Sequence, residues 1–583
     1  MAGRFRSTAL RRCLLVLSAV GFGALTALPA VAQTASQITP PSYAPPVLQP
    51  RAPIVIPENV SALAPPGSEA LEVRLEGVAI EGAEIDSEQL AALRTRLVGR
   101  SLKVAEIFVA ARELENRYAR SGHVLVRVIV PPQKLSDGAT LRLKVVEGFI
   151  EAVDTSHVPA NVRRQVTLRL APLVGVRDIT MTAIERGLLL AADLPGVTLR
   201  STLMAGRAEG ATVLLVEAQQ RQMEGFFSLD NTLPSSLGRV SMGLGLSLNS
   251  VLGFGETIYV RASGLPSGGG DTGVLDTTPR DRALALGAIM PVGADGLTFN
   301  LEATDARTAP RHDATQPGFA SRFQRLSGRL GYPLVRSRAL TASADLAFDA
   351  QDERVQLIDP MVAPLSLDRL RIVRGAGALL ATLPSGGTLS ARAEGSLGID
   401  AFGARSAADS TALLPLSRAG SDASFRKATL ALMIELPLDP RLAVSLNARA
   451  QTSFGKAMAN SEQLGIATSD GISALPSGSV QGDAGYVLRG ELHGQFVTRF
   501  EAGQARLSPY AFGAIGSVRL ERPTFVERRD TGARAWGAGL RLSGSPAQDV
   551  RAGISLSLEY GRAHLDGQAG SVDRLSCTLL TQF

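Results

Sequence analysis

Residues that could carry out catalysis or bind a metal are few in this chain and do not cluster. The chain lacks the Gly-x-Ser-x-Gly motif of a serine hydrolase and the lysine motif of a phosphate-binding loop. The histidines lack the short spacing of zinc ligands; they are His123, His157, His312, His493 and His564. The sequence therefore predicts a protein that is not an enzyme and that uses neither a metal nor a cofactor.

One glycine pattern matches a nucleotide-binding motif by letter. Gly268, Gly270 and Gly273 form Gly-x-Gly-x-x-Gly within GLPSGGGDTG. A dinucleotide-binding loop of this type leads into a helix, whereas VLDTTPRD follows here. The pattern therefore predicts a hairpin loop between two strands.

Residues 1–32 have the layout of a secretory signal peptide. Basic residues precede an apolar run from Cys13 to Leu28, and the small-residue site Ala30-Val31-Ala32 follows. Cleavage after Ala32 would lower the formal net charge from +6 to about +2, so the charge balance does not indicate a nucleic-acid partner. Cys577 would then be the remaining cysteine, which is too few thiols for a disulfide or a zinc site.

The rest of the chain divides into a linker, two small units and a long C-terminal region. Residues 33–68 are rich in proline and predict an extended linker, or alternatively a disordered tail without a role. Residues 69–149 and 150–220 each combine helices of period 3.6 with strands of period two. Val124, Val126, Val128 and Val130 alternate with other residues, and we expect them to form a half-buried strand.

From about residue 221 to residue 583 the period is two. In RVSMGLGLSLN the apolar residues all point one way and the polar and small residues the other, and the division recurs in RLAVSLNARA and RAGISLSLEY. A soluble sandwich would also alternate, but its buried face would carry more aromatic residues. About sixteen such segments predict a transmembrane antiparallel β-barrel. The terminal Phe583 would lie on its lipid-facing side.

The two small units resemble the POTRA domains of two-partner secretion transporters of the TpsB type, the haemolysin secretion/activation family. The resemblance rests on GHVLVRVIVPPQKLSDGATLRLKVVEGFIEAV and ERGLLLAADLPGVTLRSTLMAG, and SLDNTLPSSLGR and LNSVLGFGE extend it into the barrel. It implies a fold of two POTRA domains and an outer-membrane barrel. It also implies that Phe583 is the signal for the barrel-assembly machinery.

The sixth extracellular loop departs from the pattern of that family. The positions where the family usually carries Val-Arg-Gly-Tyr read Ile472, Ser473, Ala474 and Leu475, and Ala514 stands where the arginine's aspartate partner is expected. Losing both partners is energetically near neutral, whereas losing one leaves a buried charge. We therefore expect packing and weak hydrogen bonds to hold the loop. Arg489 is interpreted as a lumen-facing strand arginine, not as the missing one.

The resemblance implies secretion of an extended client, an exported protein of the β-helical kind, without nucleotide hydrolysis. The client would add a strand at the edge formed by Val124 to Val130. It would then pass a polar lumen lined by Arg239, Arg261, Arg449, Arg551 and Glu559. The alternatives are an insertase-like assembly factor and a passive pore that has lost secretion. Because residues 33–66 cannot form a long helix, we expect a lumen that is open or filled by a loop.

Overall fold

The structure is a computed structural model, and it describes residues 33–40, 42, 54–55, 64–82, 87–265, 273, 276, 278–312, 316–546 and 552–583. The signal peptide predicted for residues 1–32, Arg551, and most of the glycine pattern at 268–273 lie outside these residues. The first elements are helix α1, Ala35–Ile38, and strand β1, Ile54–Val55. No helix of the described residues is long and apolar enough to cross a membrane.

The first N-terminal unit packs two helices against short strands. Its elements are β2 (Glu72–Arg74), β3 (Gly77–Gly82), α2 (Ser87–Leu97), β4 (Ser101–Lys103), α3 (Val104–Arg120), β5 (Arg127–Ile129) and β6 (Thr140–Val146). Helix α3 buries Ile107, Ala111 and Leu114, which recur at helical spacing, against Val128 and Leu141. The sheet order is β3-β6-β5, which leaves β5 at an edge.

The second unit repeats this plan and also pairs with the linker. Its elements are β7 (Phe149–Asp154), α4 (Ala160–Leu170), α5 (Met181–Ala192), β8 (Val197–Ala205) and β9 (Ala211–Gln220). The Thr180 side chain caps α5 by accepting a hydrogen bond from the Ala183 N–H. The sheet order is β1-β8-β9-β7, because Ile54 and Val55 of the linker pair in parallel with Ser201 and Thr202.

The C-terminal region forms a closed antiparallel barrel of sixteen strands, which confirms the predicted fold class. The strands β23 and β24 count as one, since only Gln495 separates them and both pair with β25. Strands β10 to β20 are Met223–Asp230, Ser241–Asn249, Thr257–Gly264, Asp281–Val292, Leu297–Thr308, Gly318–Arg336, Leu340–Asp359, Ala363–Thr382, Thr388–Gly398, Arg426–Asp439 and Leu442–Thr452. Strands β21 to β28 are Leu464–Gly465, Gln481–Gly482, Ala484–Gly494, Phe496–Phe500, Gly503–Arg519, Asp530–Pro546, Gly553–Leu565 and Val572–Gln582.

Polar and apolar residues alternate along each barrel strand, because successive side chains face the lumen and the lipid in turn. On β14, Asn300 and Glu302 are buried toward the lumen, whereas Phe299 and Leu301 are exposed on the outer face. Closure pairs β10 with β28, so that the barrel has no free edge. The small strands β21 and β22 pair with each other and lie outside the barrel sheet.

The second N-terminal unit contacts one end of the barrel. The Asp193 carboxylate, just after α5, forms an ion pair with Arg336 at 2.7 Å. The Glu185 carboxylate on α5 accepts a hydrogen bond of 2.6 Å from the Arg338 N–H, in the turn between β15 and β16. We call this end of the barrel the periplasmic end and the opposite end the extracellular end, as the sequence predicts.

Candidate functional site: the barrel lumen

The sixth extracellular loop, residues 453–483 between β20 and β23, folds back into the barrel. Ile472 and Leu475 are fully buried and pack in one cluster with Tyr510, Phe512 and Ala514 of β25. The loop therefore enters the lumen, and the predicted positions Ile472, Ser473, Ala474, Leu475 and Ala514 come together. Hydrophobic contact is the first of three sets of contacts that hold it.

A buried arginine on the barrel wall makes the second set of contacts. Arg489 of β23 forms ion pairs with Glu559 at 2.6 Å and with Glu491 at 2.7 Å. The same guanidinium donates to the Ser473 hydroxyl of the loop at 2.6 Å and lies 3.8 Å from the centre of the Phe512 ring. The Ser473 hydroxyl in turn donates to Glu559. Charge-assisted bonds thus fix the loop to two strands.

This arrangement corrects the expectation that only packing and weak hydrogen bonds hold the loop. Ser473 and Ala514 do lack the arginine and the aspartate, but Arg489 supplies a guanidinium from the wall and Glu559 supplies a carboxylate. Arg489 is directly opposite Ala514 in the sheet register, so its guanidinium reaches the same region of the lumen. The position of Arg489 on a lumen-facing strand agrees with its interpretation from the sequence; its contact with the loop was not foreseen.

The third set of contacts is a buried charge cluster at the start of the loop. The Glu462 carboxylate pairs with Arg374 at 2.7 Å and with Lys427 at 2.6 Å. Arg374 also pairs with Asp349 of β16 at 2.6 Å. At the end of the loop, the buried Asp483 accepts hydrogen bonds from the Met458 and Glu521 N–H groups. No local sequence pattern predicts these partners, because they come from separate strands.

The linker's N-terminal part also lies in the lumen, beside the loop, which the expectation of an open or loop-filled lumen did not include. The Ala35 N–H donates to Ser321 at 3.0 Å, and the Ser36 hydroxyl donates to Glu353 at 2.8 Å. Gln33 donates through its amide to the Ser477 carbonyl of the loop at 2.9 Å. Among the described residues of this segment, helix α1 has four residues. Short polar residues nevertheless let this segment bind the wall.

Of the five predicted lumen residues, three face the lumen, one does not, and one lies outside the described residues. Arg261 lies on β12 beside Tyr259, whose hydroxyl donates to Glu302, and both face the lumen. Arg449 on β20 pairs with Asp470 of the loop at 3.3 Å, and Glu559 is part of the Arg489 cluster. Arg239 does not line the lumen: it is exposed in the extracellular turn before β11, with a φ of 64°. Arg551 lies outside the described residues.

The predicted client-binding strand is shorter than the sequence suggested. Strand β5 begins at Arg127, and the buried Val126 and Val128 belong to the core of the first unit; Val124 and Val130 flank the strand as half-buried residues. The outward Val128 N–H donates to the Glu115 carboxylate of α3 at 3.2 Å. Burial raises the pKa of Glu115, while the Val128 N–H and Arg127 lower it. The edge is therefore already partly occupied.

Phe583 ends the chain at the seam of the barrel. Its N–H donates to the Gly225 carbonyl at 3.0 Å, and the Gly225 N–H donates to its carbonyl at 2.8 Å. The ring is exposed on the outer face. At the other end of the seam, the Asn231 side chain bonds the backbone of Leu575 and Cys577. Backbone pairing therefore continues along the seam.

Comparison with known proteins identifies the family of this chain. The model of the haemolysin secretion/activation protein family ShlB/FhaC/HecB matches residues 209–543, more than half of the chain. The chain belongs to this family. The model of the ShlB-type POTRA domain matches residues 72–148, the first N-terminal unit. Members of this family are secretion channels and are not enzymes.

Curated relatives match over a limited part of their length. The heme/hemopexin transporter protein HuxB of Haemophilus influenzae (strain 86-028NP) is 23% identical over 177 residues, which cover 30% of this chain and 31% of that protein. The hemolysin transporter protein HpmB of Proteus mirabilis is 23% identical over 191 residues, 32% of this chain and 33% of that protein. The matching region thus spans about a third of these relatives.

Solved structures share the whole architecture of this ShlB/FhaC/HecB family member. CdiB from Escherichia coli gives a TM-score of 0.67 at 18% identity and covers 89% of this chain and 92% of that chain. CdiB from Acinetobacter baumannii gives 0.58 at 12% identity, covering 91% and 95%. At these identities the likeness concerns the fold. A barrel with POTRA domains places the protein in the outer membrane, with its N-terminal domains in the periplasm.

Proposed function

We propose that this protein captures an exported polypeptide in the periplasm and secretes it through the barrel, as the partner transporter of a two-partner secretion system. The observation that carries the proposal is a lumen that contains two parts of the same chain, the sixth loop and the N-terminal segment. Such a lumen prevents leakage at rest and can open for an unfolded chain. The names of HuxB and HpmB, transporters of a heme/hemopexin system and of a hemolysin, support a secreted protein as the client.

Strand β5 is the site that we propose for client capture. An extended client can bind as an added strand wherever a sheet has a free edge. In the second unit, β1 of the linker already covers the edge of β8. In the first unit, β5 is an edge strand whose outward Val128 N–H is held by a side chain, Glu115, not by a neighbouring strand. An incoming strand would replace one side-chain hydrogen bond at β5 and a whole strand pairing at β8, so β5 is the more accessible edge.

The N-terminal segment is the part that we expect to leave the lumen during secretion. It contacts β14, β15 and β16 through hydrogen bonds with Thr308, Ser321 and Glu353. The Arg325 guanidinium donates to the Pro40 carbonyl at 3.2 Å and the Arg329 guanidinium to the Ser42 hydroxyl at 2.9 Å, and the described residues of the segment carry no charge of their own that could form an ion pair. A client that enters from the periplasm could therefore replace its hydrogen bonds one by one.

Lateral opening of the barrel, as in an insertase, is the second candidate function. It requires the seam between β10 and β28 to separate. Five residue pairs join these strands from Phe226–Gln582 to Asp230–Thr578, and the bonds of Gly225 and Asn231 extend the pairing at both ends. This continuous seam favours passage through the lumen over passage through the wall.

Secretion is tested by producing the full chain together with the large exported β-helical protein encoded nearest to it, in a host that has neither. We expect the β-helical protein in the medium only when both are produced. Its retention in the periplasm of cells with a correctly assembled barrel would contradict the proposed function.

Client capture is tested separately with a photo-crosslinking residue at Arg127 on β5 or at Arg200 on β8. We expect the same exported protein to crosslink at position 127 and not at position 200, where the linker covers the edge. Equal crosslinking at the two positions, or crosslinking at 200 alone, would contradict capture by β5.

A further inference from the structure

Four arginines form a continuous row on the outer face of the barrel, near its extracellular end. Arg282 of β13 pairs in register with Arg307 of β14, Arg307 pairs with Arg322 of β15, and Arg322 pairs with Arg354 of β16. We call these four residues the arginine row. Side chains directly opposite each other on adjacent strands lie about 5 Å apart at Cβ, and like charges in such pairs destabilise a sheet.

Among the described residues, fewer carboxylates than arginines lie at the row. Asp305 is shared by Arg282 at 3.7 Å, Arg307 at 3.1 Å and Arg322 at 2.7 Å. The nearby Asp352 on β16 pairs instead with Arg369 and Arg371 of β17. Arg354 is exposed and forms no ion pair among the described residues. The outer surface of these five strands therefore carries an excess of positive charge.

On the opposite side of the barrel, arginines near the extracellular end are paired with carboxylates of the adjacent strand. There Arg519 of β25 lies directly opposite Asp530 of β26, with an ion pair of 2.7 Å. Arg562 of β27 lies directly opposite Asp573 of β28, with an ion pair of 2.6 Å. Each arginine has its own carboxylate. The arginine row is thus a local feature, and its repulsion favours an additional anion beyond the carboxylates of the described residues.

The height of the row indicates where that anion lies. Nearer the periplasm on the same four strands, large apolar side chains are exposed on the outer face, where lipid tails cover them; they are Leu286, Leu301, Leu326 and Leu346. The row begins two to four outward positions above them. It therefore lies at the level of lipid head groups in the outer leaflet, not in water and not in the hydrocarbon layer.

We propose that the arginine row binds the phosphate groups of a lipid head group in the outer leaflet. Guanidinium groups bind phosphate oxygens through paired N–H donors, and a row of four can contact more than one phosphate. Bound phosphate removes the repulsion between neighbouring arginines and attaches the strands β13 to β16 to one lipid. The binding class is a phosphorylated membrane lipid, and the proposal does not depend on the secretion function.

The test uses the full-length protein in nanodiscs of phosphatidylcholine that contain either bisphosphorylated lipid A or the same lipid A after enzymatic removal of its phosphates. Retained lipid is counted by native mass spectrometry. We expect the wild-type protein to retain the phosphorylated form. The R322Q/R354Q variant should bind it about 30-fold more weakly, at about fivefold for each arginine near a charged lipid surface. The control R562Q, on the opposite side, should bind as the wild type does.

A second readout separates lipid binding from a folding defect. Without phosphorylated lipid, R322Q/R354Q should unfold at the same temperature as the wild type or higher, since it removes like charges. Phosphorylated lipid A should raise the unfolding temperature of the wild type and leave that of the variant unchanged. Equal retention of dephosphorylated lipid, an equal loss in R562Q, or displacement of the lipid by millimolar inorganic phosphate at normal ionic strength would overturn the proposal.

Discussion

The two segments that occupy the lumen, the sixth loop and the N-terminal segment, differ in how they are attached. The loop is held by buried ion pairs at Glu462 and around Arg489, and by a hydrophobic cluster with β25. The N-terminal segment is held by hydrogen bonds and by the packing of Ala35 against Phe323. Both fill the same space, but they use different interactions to do so.

The difference indicates which segment can move. Removing one partner of a buried ion pair typically costs about 3–5 kcal/mol, whereas a hydrogen bond contributes about 0.5–1.5 kcal/mol net between neutral groups and about 1.5–3 kcal/mol when one group, such as Glu353, is charged. The loop therefore has a high barrier to leaving, and the N-terminal segment has a low one. We infer that the loop remains part of the resting barrel wall while the segment acts as a removable plug.

Of the substitutions considered, replacing Arg489 should weaken the attachment of the sixth loop most. The variant Arg489→Met leaves Glu559 without its ion-pair partner, while Glu491 retains Arg541, and we expect it to destabilise the inserted loop by about 3–5 kcal/mol. The double variant Arg489→Met/Glu559→Met should recover part of that loss, because no unpaired charge remains at the loop contact. Loop cleavage by external protease in intact cells measures the effect. Additive losses in the double variant would show that the two residues do not act as a pair.

Replacing Glu462 should have a slightly smaller effect, because Arg374 retains Asp349 as a partner. We expect Glu462→Gln to loosen the loop by about 3 kcal/mol and to expose its first residues to protease. The matched control is Asp470→Asn in the same loop, whose ion pair with Arg449 is more exposed and should contribute less than about 1 kcal/mol. Equal effects of the two variants would remove the distinction between buried and exposed anchors.

Removing one hydrogen bond of the N-terminal segment should have a moderate effect. We expect Ser36→Ala, which loses the bond to Glu353, to weaken the segment by about 1.5 kcal/mol. The open current in a planar bilayer should rise, while protease protection of the sixth loop should stay unchanged. The variant Ser36→Thr retains the hydroxyl and serves as the control. A loop that becomes cleavable in Ser36→Ala would show that the two segments are not independent.

The smallest effect is expected at the capture edge in the periplasm. Glu115→Ala frees the Val128 N–H and should tighten binding of the exported protein by about two- to tenfold, the range of one hydrogen bond. The control is Glu113→Ala, an exposed position on the same helix. Weaker or unchanged binding in Glu115→Ala alone would contradict addition at β5.

The raised pKa of Glu115 gives this prediction a pH dependence. The folded domain binds the proton of Glu115 more tightly than the unfolded chain does. The cost of the buried charge is therefore present above the folded pKa and is lost as the pH falls through it toward 4.5, the usual value. Compared with Glu115→Gln, the wild-type domain should gain stability as the pH is lowered across this window. A thermal unfolding series against pH checks the sign.

The barrel and the two N-terminal units were predictable from the sequence because their signal is local. Successive side chains of a barrel strand face lipid and lumen in turn, so polar and apolar residues alternate. This pattern can be read from the strand itself without knowledge of distant residues. The break between units is also local, since helices of period 3.6 give way to strands near Met223. The same reasoning overestimated the length of β5, because Val126 is buried in the core but is not part of the paired strand.

The attachments in the lumen could not be predicted in this way. Arg374 and Glu462 are 88 residues apart, and Arg489 and Glu559 are 70 apart, so no local pattern relates them. The absence of the arginine and the aspartate at Ser473 and Ala514 drew attention to the loop, but it did not indicate that Arg489 on the wall supplies a guanidinium to it. Proline content excluded a long helix in the N-terminal segment and gave no information about a short bound one.

The most direct test of a fixed loop and a removable plug is the conductance of the purified full-length protein compared with a variant that lacks Thr34–Pro40. The deletion removes every residue of α1 and leaves all anchors of the sixth loop in place. We predict a marked rise in open current, with the loop still protected from protease. An unchanged current, or a loop that becomes cleavable on deletion, would contradict the account.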